Sequence, residues 1–569
     1  MIAYVIVFQL IVLSISLIYR KNYEKDRLKY VVVSFSALTA LVATFATISQ
    51  LCAPAMEHLH FYNFVSLKNT SCKLGILSDS LSIISAWVVC VITAIANCYS
   101  IGYVKKNLDV FLCRINSLSL AATLFASSGN LLQMYICGEA MAVASCFLVS
   151  FDNKDLSFAA ALKMAFANKL GDVGLVISMT ALFQVFGSLN LDEINKFFVG
   201  NDVYLRKLET IATIMSASIF IKSAQIGSTD WVKNSMRAPM PALALIHSST
   251  LLTAGVFWMI RLPNLFECSE SIQNIIIAVG LFCSVIYSIK AIFAADVEGI
   301  FAYSTSSQVG LMLSACGFSA YGAALILFVS HAFSKSLLLF SMGSVVYALS
   351  GERDIKNMGG LFELLPKTYV AFVLALASMI NIPLLPSYYA RKILLNEIIG
   401  GDLVNPIALI MIIMASILTV AYLFRVTYLI FHGEIRAAET SLAYLNENDN
   451  FIINSLYISI FFAIFSGVFF YYAVYNDVVW ADLFAFSYAE NGYAIFAFSI
   501  INFIGVVAAF LICKSIKSRN LSLKLTWKIS DSFKKTAFRL VENIDEKLYR
   551  KCYLLIARAG ERESTNAGQ

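Results

Sequence analysis

The chain has 569 residues, 59% of them hydrophobic and 14% charged, with a formal net charge of +6 and a mean hydropathy of +0.76. Soluble domains carry roughly 25% charged residues, so this composition excludes a soluble enzyme and describes a polytopic membrane protein. The basic excess sits in loops and tail, where it anchors the chain at a membrane surface, and it gives no ground for a nucleic-acid partner.

Apolar runs close to the ~20 residues needed to cross a bilayer begin at residues 3–19 and 30–52 and recur along almost the whole length, predicting about fifteen transmembrane helices. The first run is followed, not preceded, by basic residues (Arg20, Lys21, Lys25, Arg27, Lys29), the reverse of a secretory signal. It therefore reads as a retained helix with its N-terminus outside. Lys105, Lys106, Arg114, Lys154, Lys233, Arg237, Arg353, Lys356 and Lys367 all fall on the side of Arg20, as cytoplasmic loops require. The twelve cysteines are scattered without CxxC spacing or a Cys/His cluster, so no disulfide framework and no metal site is expected.

Five segments place ionisable groups where lipid-crossing helices are expected. Such a charge costs about 2.5–3.5 kcal/mol at a helix centre, and usually faces a protein interior or a water path. Glu139 lies in the otherwise uncharged run 130–150, as a neutral packing residue or the partner of a cation. Asp172, in Asn168-Lys169-Leu170-Gly171-Asp172-Val173-Gly174, is either a relay carboxylate or the partner of Lys169 near a helix end. Lys222 precedes Ser223-Ala224-Gln225-Ile226-Gly227; lysine suits proton handling because burial brings its pKa toward neutrality, and its alternative is snorkelling to an interface. His247 follows Pro239 and Pro241, and is a core histidine or a relay group. His331 and Lys335 are four apart and share a helix face.

Two predicted spans are interrupted: 209–231 after Lys222, and 368–393 at Pro383 and Pro386, just before Arg391 and Lys392. Irregular backbone at membrane depth survives only where protein or water satisfies it, and paired broken helices in two halves of a chain point to a transport site. The tail from Leu521 to Arg558 reads as an interfacial amphipathic helix or a solvated stalk. No phosphate loop, dinucleotide fingerprint, nucleophile elbow or zinc motif is present, which favours ion movement over bond-making.

The strings Tyr99-Ser100-Ile101-Gly102-Tyr103, residues 168–174, Lys222-Ser223-Ala224-Gln225, Ala244-Leu245-Ile246-His247 with Thr253-Ala254-Gly255-Val256, Ala302-Tyr303-Ser304-Thr305 with Ser307-Gln308-Val309-Gly310, His331-Ala332-Phe333 with Lys335, and Asp354-Ile355-Lys356-Asn357-Met358-Gly359-Gly360-Leu361 stand in the order of a known family. The chain resembles the antiporter-like subunit L, or mitochondrial chain 5, of proton-pumping NADH:quinone oxidoreductase, respiratory complex I. The resemblance implies an all-α polytopic protein with two inverted five-helix repeats, helices 7 and 12 broken, and a hydrophilic axis. It places helices 1–3 in residues 1–110, the two repeats in 111–262 and 263–432, further spans in 433–513 and a basic cytoplasmic tail in 514–569.

The implied function is proton translocation coupled to quinone reduction elsewhere in the complex. Glu139 and Lys222 form the switching pair, Asp172, His247, His331 and Lys335 continue the axis, and Arg391 and Lys392 stand at the outer gate. No cofactor is expected in this subunit; NADH, FMN, iron–sulfur clusters and quinone belong to partner subunits. The implied partners are the neighbouring antiporter-like subunit, the lipid bilayer and protons, in a bacterial inner or a mitochondrial inner membrane. The rivals are a subunit of a multisubunit Na+/H+ antiporter and a non-conducting structural paralogue.

The departures from the family pattern are specific. Gly227 and Thr229 replace a proline and a histidine, Arg237 replaces a glutamate, Glu298 a lysine, Leu327 a histidine and Arg391 a lysine. Arginine holds charge but does not readily release a proton. The family's long lateral helix is not expected in the chain, whose residues 543–549 resemble only the segment preceding it.

Overall fold

A computed structural model describes residues 1–21, 27–52, 56–67, 70–152, 154–197, 205–225, 229–294, 296–380, 382, 385–400, 406–437, 449–475, 500 and 503–507. Two peripheral helices, α1 (Ile2–Lys21) and α2 (Arg27–Cys52), lead into an antiparallel hairpin of β1 (Glu57–Leu67) and β2 (Thr70–Ser78). The hairpin occupies a loop read from sequence only as a polar interruption. Asp79 then caps α3 (Ser80–Tyr103), its carboxylate accepting from the Ser82 backbone N–H at 2.9 Å.

α4 (Leu108–Ala126), α5 (Leu131–Val149) and α6 (Asp155–Phe186) follow as continuous helices, and α7 (Leu191–Phe197) is a short surface turn. The next span is broken into α8 (Leu205–Lys222) and α9 (Thr229–Ser235), as the sequence predicts. The span after it is broken too, into α10 (Met240–Ile246) and α11 (Ala254–Arg261), with His247 in the gap. A turn, α12 (Pro263–Phe266), precedes α13 (Glu270–Phe293), α14 (Val297–Gly317) and α15 (Tyr321–Ala348). The second expected interruption separates α16 (Pro366–Met379) from α17 (Pro386–Gly400), and α18 (Pro406–Phe431) and α19 (Asn450–Tyr475) complete the described helices.

Among the described residues, ten helices are long and apolar enough to cross a membrane. With α14 and the three interrupted pairs they make fourteen crossings in an all-α multi-pass membrane protein. The fifteenth expected crossing and the tail from Leu521 to Arg558 lie mainly outside the described residues.

Packing follows residue size and polarity. α15 is buried on every side at the centre, as expected for a helix apolar all round. α13 and α14 cross at Gly280 and Gly310, where a Cβ on either would stand 2.6 Å from the other's carbonyl oxygen. α1, α3 and α4 are joined by amides and hydroxyls: Gln9 Nε2 donates to Thr123 Oγ1 at 2.8 Å, Asn97 Nδ2 to Asn116 Oδ1 at 2.9 Å, and Asn116 Nδ2 to Ser16 Oγ at 2.9 Å.

The two ends of the bundle differ in charge. At one end Lys233 pairs with Asp296 at 3.1 Å, Arg353 with Glu298 at 3.0 Å, and Lys105 lies over the Tyr347 ring. At the other end the hairpin meets the α4–α5 turn through Leu77 N–H to Ser127 O, 2.8 Å, and Asn195 of α7 donates to the Arg261 carbonyl at 3.1 Å. The first end carries the basic loops expected to face the cytoplasm.

Candidate functional site

Lys169 and Asp172 are one turn apart on α6, so they project from the same face. That face meets Glu139 of α5 and Lys222, the last residue of α8. The Lys222 ammonium is bonded to the Asp172 carboxylate and stands 3.8 Å from Glu139 Oε1. The Lys169 ammonium is bonded to Glu139 and lies 3.3 Å from Asp172 Oδ2. Two carboxylates and two ammonium groups thus form a closed, neutral cluster. It is graded in depth: the Lys169 side chain is 59% exposed, Glu139 18%, Lys222 7% and Asp172 5%.

Glycine sets this approach. A Cβ at Gly171 would stand 2.5 Å from Lys222 Cγ, and one at Gly174 2.0 Å from Ser218 Oγ. Only hydrogen at both positions lets α8 lie close enough for Lys222 to reach Asp172. The sequence alternatives for Asp172 therefore merge, because it touches Lys169 and Lys222 together. The expected Glu139–Lys222 pair is present at longer range, with Asp172 as the direct partner.

Directly after Lys222 the helix stops. Ala224 adopts φ +53°, an uncommon region for a residue with a side chain. The Gln225 N–H reaches back to the Phe220 carbonyl at 2.8 Å. The second half of the chain satisfies the freed carbonyl: Gln225 O accepts from the Tyr287 hydroxyl at 2.5 Å and from Cys283 Sγ at 3.2 Å, both on α13. Gln225 Nε2 donates to the Ser306 carbonyl of α14 at 3.2 Å. Gly227 lies outside the described residues.

His247 sits in the gap between α10 and α11, fully buried, with Nε2 2.9 Å from Ser235 Oγ. The Ser235 hydroxyl donates to the Val232 carbonyl at 2.6 Å, so in that bond it accepts from His247, which places the imidazole proton on Nε2. His331 and Lys335, one turn apart on α15, lie within electrostatic reach of His247. Lys335 is wholly buried, donates to the Phe301 carbonyl at 2.9 Å and to the Ser304 hydroxyl, and lies 4.9 Å from the centre of the Phe301 ring. No carboxylate stands within 4 Å of it among the described residues. Lys222 is therefore held by opposite charge, and Lys335 by dipoles and an aromatic face.

Arg391 of α17 is buried, donating from Nη1 to Ser416 Oγ at 3.1 Å and from Nη2 to Gln308 Oε1 at 3.3 Å. The Tyr422 phenol of α18 lies among Arg391, Gln308, Thr419 and Ser304. Ser304 consequently neighbours both Lys335 and Tyr422, and the buried Tyr422 hydroxyl stands between them and Arg391 without a hydrogen bond of its own among the described residues. Lys392 is half-buried, and Arg391 faces this network. Glu298, at the start of α14, is engaged with Arg353.

Several contributors were not singled out from sequence. Ser235 and Tyr422 resemble ordinary polar residues of packed helices until their partners are known, and Ser304 and Gln308 stood in the family-like strings without a role of their own. Lys290 is buried at the end of α13 with its ammonium 5.5 and 5.7 Å from the Tyr287 and Tyr303 rings. Its one sequence signal is a cation in an apolar helix, muted by its place in the last turn.

A family model described as NADH:quinone oxidoreductase/Mrp antiporter, TM matches residues 128–419, just over half of the chain. The chain belongs to this family. The matched interval contains every residue of the site from Glu139 to Arg391. The chain is 30% identical over 456 residues to NADH-ubiquinone oxidoreductase chain 5 of Chondrus crispus, covering 74% of this chain and 68% of that protein. It is 29% identical over 476 residues to NADH-quinone oxidoreductase subunit L of Rickettsia typhi, covering 82% and 72%. In fold it is similar to a chain of the Mrp complex from Dietzia sp. DQ12-45-1b, with a TM-score of 0.75, 17% identity and coverage of 98% of this chain and 62% of that one. A chain of the membrane-bound sulfane sulfur reductase, an archaeal respiratory membrane complex, gives a TM-score of 0.72 at 18% identity, covering 84% and 97%. The protein is thus an antiporter-like membrane subunit of the complex I and Mrp type.

Proposed function

We propose that this antiporter-like subunit translocates protons within an NADH:quinone oxidoreductase of an energy-conserving bacterial or mitochondrial inner membrane. The observation that carries the reading is the Glu139/Lys169/Asp172/Lys222 cluster at the interruption after α8. A lysine with two carboxylates in reach exchanges one for the other by a small movement. A buried pair that loses a partner is strongly disfavoured, so charge at one end of the cluster biases the other. Beyond it, His247, His331 and Lys335 offer titratable groups in sequence toward Arg391. Reaction of NADH and quinone is assigned to partner subunits, and this chain contributes no redox group to the reading. Identity of 29–30% to subunit L and chain 5 proteins supports complex I over an Mrp-type antiporter.

Membranes containing the assembled complex test the proposal through NADH-driven acidification measured with a pH-sensitive dye. Lys222→Ala is expected to lower pumping about tenfold or more; unchanged pumping would remove the cluster from the path. Copurification in mild detergent tests the assembly, and a chain recovered with no oxidoreductase subunit would transfer the assignment to the antiporter alternative.

A further inference from the structure

The corner between α9 and α10 is tied down on both sides of Ser235. Before it, the Lys233 ammonium pairs with the Asp296 carboxylate at 3.1 Å. After it, Arg353 Nη1 donates to the Met236 carbonyl at 2.8 Å and to Glu298 Oε1 at 3.0 Å. Both anions stand at the start of α14, Asp296 as its N-cap and Glu298 in its first turn. The Arg353 backbone is fastened to the same point, its carbonyl accepting the Val297 N–H at 3.4 Å. Four side chains thus close a clasp over three chain segments. The Arg353 and Glu298 side chains are 26% and 21% exposed, against 42% and 34% for Lys233 and Asp296, so the arginine half is the less screened and the stronger.

Ser235 is buried inside this clasp with its hydroxyl on His247. That hydroxyl donates to the Val232 carbonyl and accepts from His247 Nε2. The imidazole is therefore open at Nδ1, which has no hydrogen-bond partner among the described residues. Which ring nitrogen is open is set by the bond that the other makes. The bond at Nε2 depends in turn on where the Ser235 backbone stands, and the ties at Lys233 and Met236 fix that backbone from either side. Glu298 decides whether the clasp closes. A lysine at this position, as in the family pattern, would face Arg353 with like charge.

We infer that Glu298 and Arg353 are positioning residues for His247: their clasp holds the Ser235 corner so that the imidazole keeps its proton on Nε2 and accepts the next one at Nδ1. The inference rests on the proton-translocating reading above. A proton taken up from a neighbouring relay group forms an N–H bond at Nδ1 as the donor's own bond to it breaks. Its release from the same nitrogen restores the starting form. The titratable groups within reach of His247 are His331 and Lys335 from α15. Around the clasp stand Tyr103 from α3 and Glu352 beside Arg353.

The test is NADH-driven pumping by the whole complex, measured over a range of pH for Glu298→Lys, Arg353→Met and Glu298→Gln, each alone and combined with His247→Gln. Glu298→Lys and Arg353→Met should each lower pumping about fivefold or more. Glu298→Gln, which keeps an acceptor for the guanidinium, should fall less. Glu298→Lys adds positive charge and Arg353→Met removes it, so an effect of charge alone would move the pH midpoint of pumping in opposite directions, whereas loss of the clasp moves it in the same direction. In the His247→Gln background the three changes should alter pumping by no more than about twofold. Where charge reversal blocks assembly, Glu298→Gln and its combination with His247→Gln carry the same comparison. Losses that multiply with that of His247→Gln, midpoints displaced in opposite directions, or pumping unchanged by Glu298→Lys would overturn the clasp alone. Wild-type pumping by His247→Gln would remove the histidine from the path and the clasp's role with it, whereas pumping indifferent to Lys222→Ala would overturn the proton reading itself.

Discussion

The Lys222 ammonium is bonded to Asp172 and stands 3.8 Å from Glu139, so its direct partner is the carboxylate on the helix that α8 packs against through glycine. Removing the cation alone leaves two acids with only the surface-exposed Lys169 between them. Lys222→Met should therefore destabilise the subunit by roughly 3–5 kcal/mol, and Lys222→Met/Asp172→Asn by clearly less than the sum of its single changes. Thermal unfolding in detergent reads both, and simple additivity would show that the two groups are not coupled.

Lys169 is expected to tune the cluster without being essential to it. Its side chain lies at the open edge of the cluster, and Asp172 keeps its bond to Lys222 when Lys169 is removed. Lys169→Ala should lower pumping a few-fold at most while Asp172→Asn abolishes most of it. Equal losses would place Lys169 within the path itself.

Gly174→Ala must displace the Ser218 hydroxyl or part α6 from α8, because the new methyl would meet Ser218 Oγ at 2.0 Å. A cost of about 1–3 kcal/mol is expected from such overpacking. Adding Ser218→Ala removes the offending oxygen and leaves the Ser218 Cβ 3.3 Å away. The double variant should recover most of the lost melting temperature, and failure to recover would locate the strain elsewhere.

Arg391→Lys keeps a cation where the guanidinium now binds Ser416 and Gln308. An ammonium releases its proton far more readily than a guanidinium. Pumping by this variant should equal or exceed wild type, with the largest gain at alkaline pH. Arg391→Met should stay well below both, and a strong loss with Arg391→Lys would mean that the fork geometry, not the charge, is required.

Outside the spans, Glu352 accepts the Asp354 N–H at 2.8 Å, the Arg353 N–H at 2.9 Å and Asn357 Nδ2 at 3.1 Å. These bonds, foremost that from Asp354, hold its pKa below the ordinary glutamate value of 4.5. A carboxylate depressed on folding stabilises the loop above its unfolded pKa, and that contribution is lost as pH falls through the lower folded value. Amide exchange in residues 352–358 should accelerate, after correction for intrinsic rates, only below the ordinary glutamate range. Glu352→Gln should be fast at all pH values.

The intramembrane charges were legible because each violates an apolar pattern. Glu139, Lys222, His331 and Lys335 all stand out that way, and Gln225 to Asp230 and the prolines near 383 marked two of the three interrupted spans. Their partners were not legible, because a penalty in sequence says that compensation exists and not where. Lys169 sits three residues from Asp172 and read as its local neighbour; only the α5–α6–α8 packing brings it to Glu139. The third interruption escaped notice because Ser248 to Thr253 lacks glycine and proline. The hairpin over residues 57–78 was read as a polar interruption because Glu57, His58, His60, Asn63 and Lys73 break up its apolar residues and leave no run long enough to span.

The Tyr287 hydroxyl on the Gln225 carbonyl has a mechanical consequence. Through it, a helix of the second half holds the loose end that follows Lys222 in the first. Rotation of α13 would pull on the residue three places from Lys222, and movement of Lys222 would in turn load α13. The two halves are thereby geared to each other at Gln225, through the Tyr287 phenol together with Cys283 and the Ser306 carbonyl, and Tyr287→Phe would loosen that gearing without removing it.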